Sequence, residues 1–160
     1  MRVALFGRTP KDEDIIYVQN LISGIEQRNP YVVIHKTFYE AIKEKVSFTK
    51  PVHLYEDKEG LDKDVEILLS LGGDGTLLET LPIIEDSQIP ILGINIGHLG
   101  FLTSVGRDGI STLVDELRQK RYDVENHSLL KIDDKHNIKD KYALNDICLR
   151  SAKAGDLLDI

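Results

Sequence analysis

The sequence predicts an α/β fold: a doubly wound, mostly parallel sheet followed by the start of a β-rich second domain. Three observations predict it. Short apolar or β-branched runs alternate with segments of helical period through the first two-thirds of the chain, the pattern that requires crossover connections. Two of those runs end directly in glycine loops. Beyond about residue 120 the helical period disappears and the remaining segments read as extended.

Arg2 to Phe6 is the first strand, and Gly7 opens a loop behind it. From Asp12 to Arg28, Ile15, Val18, Leu21, Ile22 and Ile25 recur at three- and four-residue spacing, so one helical face is apolar and covers the sheet. Tyr31 to His35, entered through Asn29-Pro30, is a β-branched second strand. A short helix over Phe38 to Lys45 follows. Ser47 to Asp64 is polar, contains Pro51 and Gly60 and keeps no period, which predicts a loop with at most one short strand. Val65 to Leu71 is the third strand; it runs into Gly72-Gly73-Asp74-Gly75-Thr76, with a helix from about Thr76. Pro90 to Asn95 is the fourth strand, followed by the second glycine loop, Gly97 to Phe101. Gly109 to Lys120 places Ile110, Leu113, Val114 and Leu117 on one face of an amphipathic helix. Tyr122 to Ile132 and Lys141 to Leu149 read as extended around a polar turn at Asp133 to Asn137. The expected division is a nucleotide-binding α/β domain over 1–120 and an incomplete β-rich unit over 121–160, which is too little chain for an independent sheet.

Bulk properties narrow the function classes. With 160 residues, 41% apolar and 29% charged, the chain is long enough for one core. No apolar run approaches the roughly 20 residues of a spanning helix, and the start reads as a strand rather than a leader, so the expectation is a soluble cytoplasmic protein without a membrane partner. A net charge of −7 argues against a nucleic-acid partner. The single cysteine, Cys148, excludes a disulfide within the chain and, in an apolar stretch, reads as a small buried hydrophobe. His35, His53, His127 and His136 have no metal-ligand spacing, so no structural metal is expected, and His98 reads as a loop-packing residue.

The chemistry concentrates in the two glycine loops. In an open parallel sheet, ligands gather beyond the carboxyl ends of the strands. Gly72, Gly73 and Gly75 free the backbone to take positive φ and to approach a ligand, and exposed amides there can cradle phosphate. Asp74 is the one ionisable group in that loop. A carboxylate repels phosphate, so its plausible uses are accepting a proton from an attacking hydroxyl or holding a metal, and both imply phosphoryl transfer. Amide hydrogen bonds would keep it ionised. The plain structural alternative is a turn in which Asp74 or Thr76 caps the next helix. The loop has neither a Walker lysine nor G-x-G-x-x-G spacing. Elsewhere, Phe101 could be ordinary core, Asn95 and Gly97 turn residues, and Asn145 with Asp146 an edge polar pair.

Leu71-Gly72-Gly73-Asp74-Gly75-Thr76-Leu77-Leu78, then Gly93 to Thr103, then Ala143-Leu144-Asn145-Asp146, resemble the successive motifs of the NAD kinase family in order and approximate spacing. Gly-Gly-Asp-Gly alone is shared with diacylglycerol and sphingosine kinases and, loosely, phosphofructokinases. The second loop and the Asn-acidic pair make the resemblance more specific. It implies an α/β N-terminal domain, a β-rich C-terminal domain, NAD between them, and ATP with a divalent metal such as magnesium phosphorylating the adenosine-ribose 2′-hydroxyl. By resemblance Asp74 is the proton acceptor, Asp74 and Gly75 contact the dinucleotide, Phe101 lies near the adenine, Asn145 and Asp146 contact the other nucleotide portion, and Gly72, Gly73 and Thr76 shape the phosphate loop; these residues, with Asn95 and Gly97 of the second motif, are the expected cofactor-binding set. His127 stands where many relatives carry arginine. The chain also stops before the family's later Thr/Ser-Gly-rich segment, so the expectation is a partial protein, inactive or nearly so alone. Two alternatives remain open: a lipid kinase catalytic domain, against which the second loop speaks, and a noncatalytic nucleotide-binding module. Strands near 122 to 149 with unpaired edges suggest self-association into a homo-oligomer.

Overall fold

Strand β1 (Arg2–Gly7) is apolar on both faces, as expected of a strand at the centre of a parallel sheet covered on both sides. The computed structural model describes residues 2–27, 29, 31–97, 100–133 and 141–148. With β2 (Val32–His35), β3 (Val52–Tyr55), β4 (Val65–Leu71), β5 (Ile91–Asn95) and β6 (Val105–Gly106) it forms one six-stranded sheet in the order β3-β2-β1-β4-β5-β6, every pair parallel.

Alternation along the strands divides the core in two. Val3 and Leu5 of β1, Val32 and Ile34 of β2, and Ile67, Leu69 and Leu71 of β4 pack with Val18, Leu21, Ile22 and Ile25 of α1 (Ile15–Glu26), with Phe38 and Ile42 of α2 (Lys36–Ile42), and with Leu113, Val114 and Leu117 further along the chain. Ala4, Phe6, Val33 and Leu68 face the other way, against Tyr55, Leu61, Ile83 and Ile84. The sheet is thus doubly wound. The Tyr55 hydroxyl crosses from β3 to donate to the Leu5 carbonyl of β1 at 3.0 Å, and burial pushes that phenol far above its ordinary pKa.

Several elements depart from the sequence expectation. The first helix opens with a single 3-10 turn at Asp12–Asp14, whereas the segment between residues 47 and 64 keeps to its expectation, with one short strand, β3, at the sheet edge. The helix after β4 is broken into α3 (Asp74–Leu78) and α4 (Leu81–Ile84). The buried Thr80 hydroxyl donates to the Leu77 carbonyl at 2.6 Å, competing with the backbone, and Pro82 starts the second piece. The amphipathic helix α5 (Ile110–Arg118) follows a 3-10 turn at Arg107–Gly109. Strand β6 was not predicted.

After α5 the chain leaves both cores. Residues 121–129 form no regular element, and 121–128 are exposed; among the described residues beyond α5 only β7 (Leu130–Lys131) and β8 (Tyr142–Ala143) pair, antiparallel. Among the described residues the expected long strands pair only over these two-residue stretches. Cys148 is exposed, correcting its expected burial, because no described element covers its segment. The proposed turn beyond Asp133, the strand end at Leu149, and His98 lie outside the described residues.

Candidate functional site

The sheet order reverses between β1 and β4, and Gly7 pairs with Leu71, so the loops after these strands leave side by side at the carboxyl edge. This is the topological switch point at which open α/β sheets bind ligands. The loop after β4 is Gly72 to Thr76. Of its glycines, only Gly72 has positive φ, at 153°, and a Cβ there would fall 2.2 Å from the Oγ1 of buried Thr76. Gly73 and Gly75 do not take positive φ, correcting that expectation; a Cβ on either would meet nothing within 4 Å. Gly72 is therefore required by packing against Thr76, while Gly73 and Gly75 border open space.

Asp74 begins α3 but does not cap it. Gly73 is the N-cap and makes no side-chain capping bond. The Asp74 carboxylate instead reaches to the second glycine loop, where the Phe101 amide donates to Oδ2 at 2.7 Å and the Leu102 amide to Oδ1 at 3.0 Å. The Phe101 amide most of all holds this carboxyl below the usual carboxylate range; partial desolvation opposes it, and the Leu102 and Thr103 amides with the Thr103 hydroxyl reinforce it. The carboxylate lies so close over Gly100 that a Cβ there would sit 2.1 Å from Oδ1. The turn alternative for this loop is thereby replaced by a specific arrangement: a half-buried ionised carboxylate held by backbone amides and the Thr103 hydroxyl.

The second loop connects β5 to β6 in the nine residues 96–104, a short route for a parallel connection. Asn95 makes it possible. Its Oδ1 accepts the Gly97 amide at 2.8 Å and its Nδ2 donates to the Thr103 hydroxyl at 3.3 Å, which brings the two ends of the loop together. Ser104 then donates to the Gly93 carbonyl at 3.0 Å, and the chain re-enters the sheet. Thr103 packs so tightly on β5 that a Cβ on Gly93 would be 2.9 Å from its Cα. Asn95 is buried, 4% exposed, so it supports the loop from beneath while Gly97 sits at the surface. The Phe101 ring, an alternative core residue by sequence, is wholly exposed.

Beside these loops, a cavity of about 460 Å³ opens at the ends of β1 and β2, lined by Gly7, Arg8, Thr9, His35, Thr37 and Glu79 among others. Arg8 spans it to Glu79 through two guanidinium bonds, one of them Nε to Oε2 at 2.9 Å. His35 Nε2 meets the Glu56 carbonyl at 3.2 Å, and its buried Nδ1 has no protein partner.

The structure thus brings together Gly72, Gly73, Asp74, Gly75 and Thr76 with Asn95, Gly97 and Phe101. Asn145 and Asp146 stand apart: they follow β8, are exposed, and make no hydrogen bond or ion pair to the two loops among the described residues. Sequence reasoning missed Gly100, Leu102, Thr103 and the cavity residues. Gly100 and Thr103 were present in the second motif; the cavity residues could have been found only from their places at the ends of β1 and β2. Among the described residues no three His, Cys, Asp or Glu side chains gather as a metal site, and no helix is long and apolar enough to cross a membrane.

Comparison with known proteins gives this arrangement its context. The family model of the ATP-NAD kinase N-terminal domain matches residues 3–122. An NAD kinase of Flavobacterium psychrophilum is 30% identical over the whole chain, one of Cytophaga hutchinsonii 32% and one of Bacteroides fragilis 30%. The chain spans about half the length of these relatives, 56%, 56% and 55% respectively. The crystal structure of yeast NADH kinase complexed with NADH superimposes with a TM-score of 0.67 at 18% identity, covering 89% of this chain and 45% of that one, and so shares the fold. From the match over residues 3–122 and the agreement of these relatives, the chain belongs to the NAD kinase family.

Proposed function

We infer that this chain carries the phosphate loop and proton acceptor of an ATP-dependent NAD kinase. The observation that carries the reading is Asp74: an ionised carboxylate between two glycines, Gly73 and Gly75, whose faces are open and whose lack of a side chain no protein contact requires. A ligand that must approach the backbone there is the physical reason for both.

In the reaction, the adenosine-ribose 2′-oxygen forms a bond to the γ-phosphorus of ATP as the bond from that phosphorus to the ADP oxygen breaks. The hydroxyl proton passes to Asp74, and ADP leaves NADP behind. A carboxylate stabilised by amides is a weak base. It suffices in a loose phosphoryl-transfer transition state, where the proton moves late and most of the catalysis is positioning. The amides of Phe101 and Leu102, with Thr103, fix the carboxylate's direction, and Asp74 accepts the hydroxyl proton from that fixed position. Asp74 and Gly75 contact the dinucleotide, the exposed Phe101 ring stacks near its adenine, and Asn145 with Asp146 contact the other nucleotide portion. Gly72, Gly73 and Thr76 shape the loop, with Asn95 and Gly97 supporting it from the second. Magnesium would be carried by the triphosphate, whose charge it would offset: the Asp74 oxygens each accept an amide, and among the described residues no three His, Cys, Asp or Glu side chains gather to hold it.

The same reading puts the protein in the cytoplasm, where these nucleotides are, and allows a homo-oligomer built through the edges of β7 and β8, which pair only with each other among the described residues; Tyr122, Val124, Leu130 and Ile147 are exposed in this part of the chain.

The test is NADP formation from NAD and Mg-ATP, measured on this chain, on this chain joined to the C-terminal part of the Flavobacterium relative, and on that fusion with Asp74→Asn. The fusion is expected to turn over, and the Asn variant to lose about 10²-fold or more in kcat with KM for NAD little changed. A fusion that binds NAD but keeps its full rate as the Asn variant removes Asp74 from the chemistry. One that phosphorylates a diacylglycerol or sphingoid base and not NAD replaces the substrate.

A further inference from the structure

We propose that Arg107 is a positioning residue for Asp74: it pins the start of the 96–104 loop so that the Phe101 and Leu102 amides stay on the carboxylate. The inference rests on the reading of Asp74 as proton acceptor for its meaning, and on geometry alone for its content.

Arg107 lies in the 3-10 turn after β6, and its guanidinium touches three elements at once. Nε donates to the Ile96 carbonyl at 2.9 Å, Nη2 pairs with Asp14 in the turn that follows β1, and the group lies over the Tyr17 ring of α1, 5.3 Å from its centroid. Glu13 is a more distant partner at 3.8 Å. The Asp14 side chain is only 5% exposed, so this pair is not a solvated surface contact that can exchange freely with water. A planar guanidinium is suited to hold two acceptors in fixed directions; a lysine is not.

Ile96 is the first residue beyond β5, where the loop begins. Gly97 and Gly100 give that loop no stiffness of their own, so its shape depends on anchors. Ser104 on Gly93 holds the far end, and Asn95 ties Gly97 to Thr103. Arg107 holds the near end against the rest of the sheet. Between the anchors, the amides of Phe101 and Leu102 reach Asp74. No charged side chain pairs with Asp74 among the described residues; its partners are those amides and Thr103. Loop placement therefore sets its orientation and its ionisation.

The experiment is NMR on the labelled 160-residue chain, comparing wild type with Arg107→Met and Asp14→Asn; it needs no turnover. In wild type the Phe101 and Leu102 amide protons, bonded to a carboxylate, should resonate downfield and exchange slowly. Arg107→Met should return both towards ordinary shifts, speed their exchange about tenfold or more, and raise the midpoint at which the Asp74 carboxyl carbon titrates. Asp14→Asn keeps the Nε bond to Ile96 and should leave both amides near their wild-type positions. Methyl resonances of Leu5, Leu69 and Ile94 report whether the core is intact. If Arg107→Met unfolds because Asp14 is left unpaired, the double variant Asp14→Asn/Arg107→Met removes that charge and carries the same readout. Unchanged Phe101 and Leu102 amides in a folded variant lacking Arg107 overturn the proposal. Full activity in Asp74→Asn would sink the proton-acceptor reading and leave this geometry untouched, so the two failures are distinguishable.

Discussion

The two glycine loops leave neighbouring strands of one sheet, yet their glycines answer different demands. Gly72 and Gly100 are glycine because protein atoms fill the place of a side chain: Thr76 against the first, the Asp74 carboxylate against the second. Gly73 and Gly75 border open space beside that same carboxylate. The lesson is that a glycine crowded by protein reports on folding, while one facing open space next to a reactive group reports on a ligand. Substitution to alanine at each position separates the two.

The largest effect is expected at Gly72. Gly72→Ala combines positive φ with a collision on a β-branched, buried Thr76 that has no room to yield, and should cost about 3 kcal/mol in chemical denaturation. A loss below about 1 kcal/mol would show that Thr76 can move and that the loop is less fixed than it looks. Gly73→Ala and Gly75→Ala should leave stability within about 0.5 kcal/mol, or raise it by up to about 1 kcal/mol for Gly75 inside α3. Both should weaken dinucleotide binding about tenfold, near 1.4 kcal/mol by calorimetry. Equal binding by the alanine variants would remove the argument that a ligand needs those glycines.

Gly100→Ala is intermediate in kind. The collision is with the end of a side chain that can rotate, so the fold should lose less than about 1 kcal/mol. The amide bonds to Asp74 should be lost nonetheless, with kcat falling as in Asp74→Asn and the Phe101 amide moving upfield. The smallest effect is the acid dependence of stability. Asp74 titrates below its ordinary value when folded, so its contribution is complete above the unfolded pKa of about 3.9 and is lost as pH falls through the folded one. Denaturation midpoints of wild type and Asp74→Asn should therefore differ above about pH 4 and converge towards pH 2. Curves that stay parallel through that window would mean the amides do not bind the charged form preferentially.

How much of this was legible in the sequence depended on whether a feature has a side-chain signature. Strands β1, β4 and β5 were readable because each is an apolar run wide enough to span the sheet, and α5 because its four buried residues keep a helical period. Strand β6 was not: it has two residues, Val105 and Gly106, and is reached without a helix. Asp74 was readable as the odd charge in a glycine loop. Its partners were not, because they are backbone amides 27 and 28 residues away, and an amide looks alike in every residue type. Asn95 was read with the cofactor-binding residues from its motif alone; its burial and its bonds to Gly97 and Thr103 were not legible, since a motif identifies the loop without saying which side of it a residue occupies. The segment beyond Arg121 was read as extended from composition, but strands need partners, and among the described residues only Leu130–Lys131 and Tyr142–Ala143 find them.

The route from β5 to β6 has one further consequence, for how this chain can change length. In most parallel sheets the crossover is a separate helix, and insertions there are absorbed at the surface. Here the crossover itself supplies the amides that hold Asp74, and it is closed by Asn95 on one residue at each end. A single added residue would slide Phe101 and Leu102 out of register with the carboxylate, while the exposed stretch around Glu59 and Gly60 is held by local bonds to Asp57 and carries no site residue. Insertion scanning should find the 96–104 loop intolerant at nearly every position and the loop before β4 permissive.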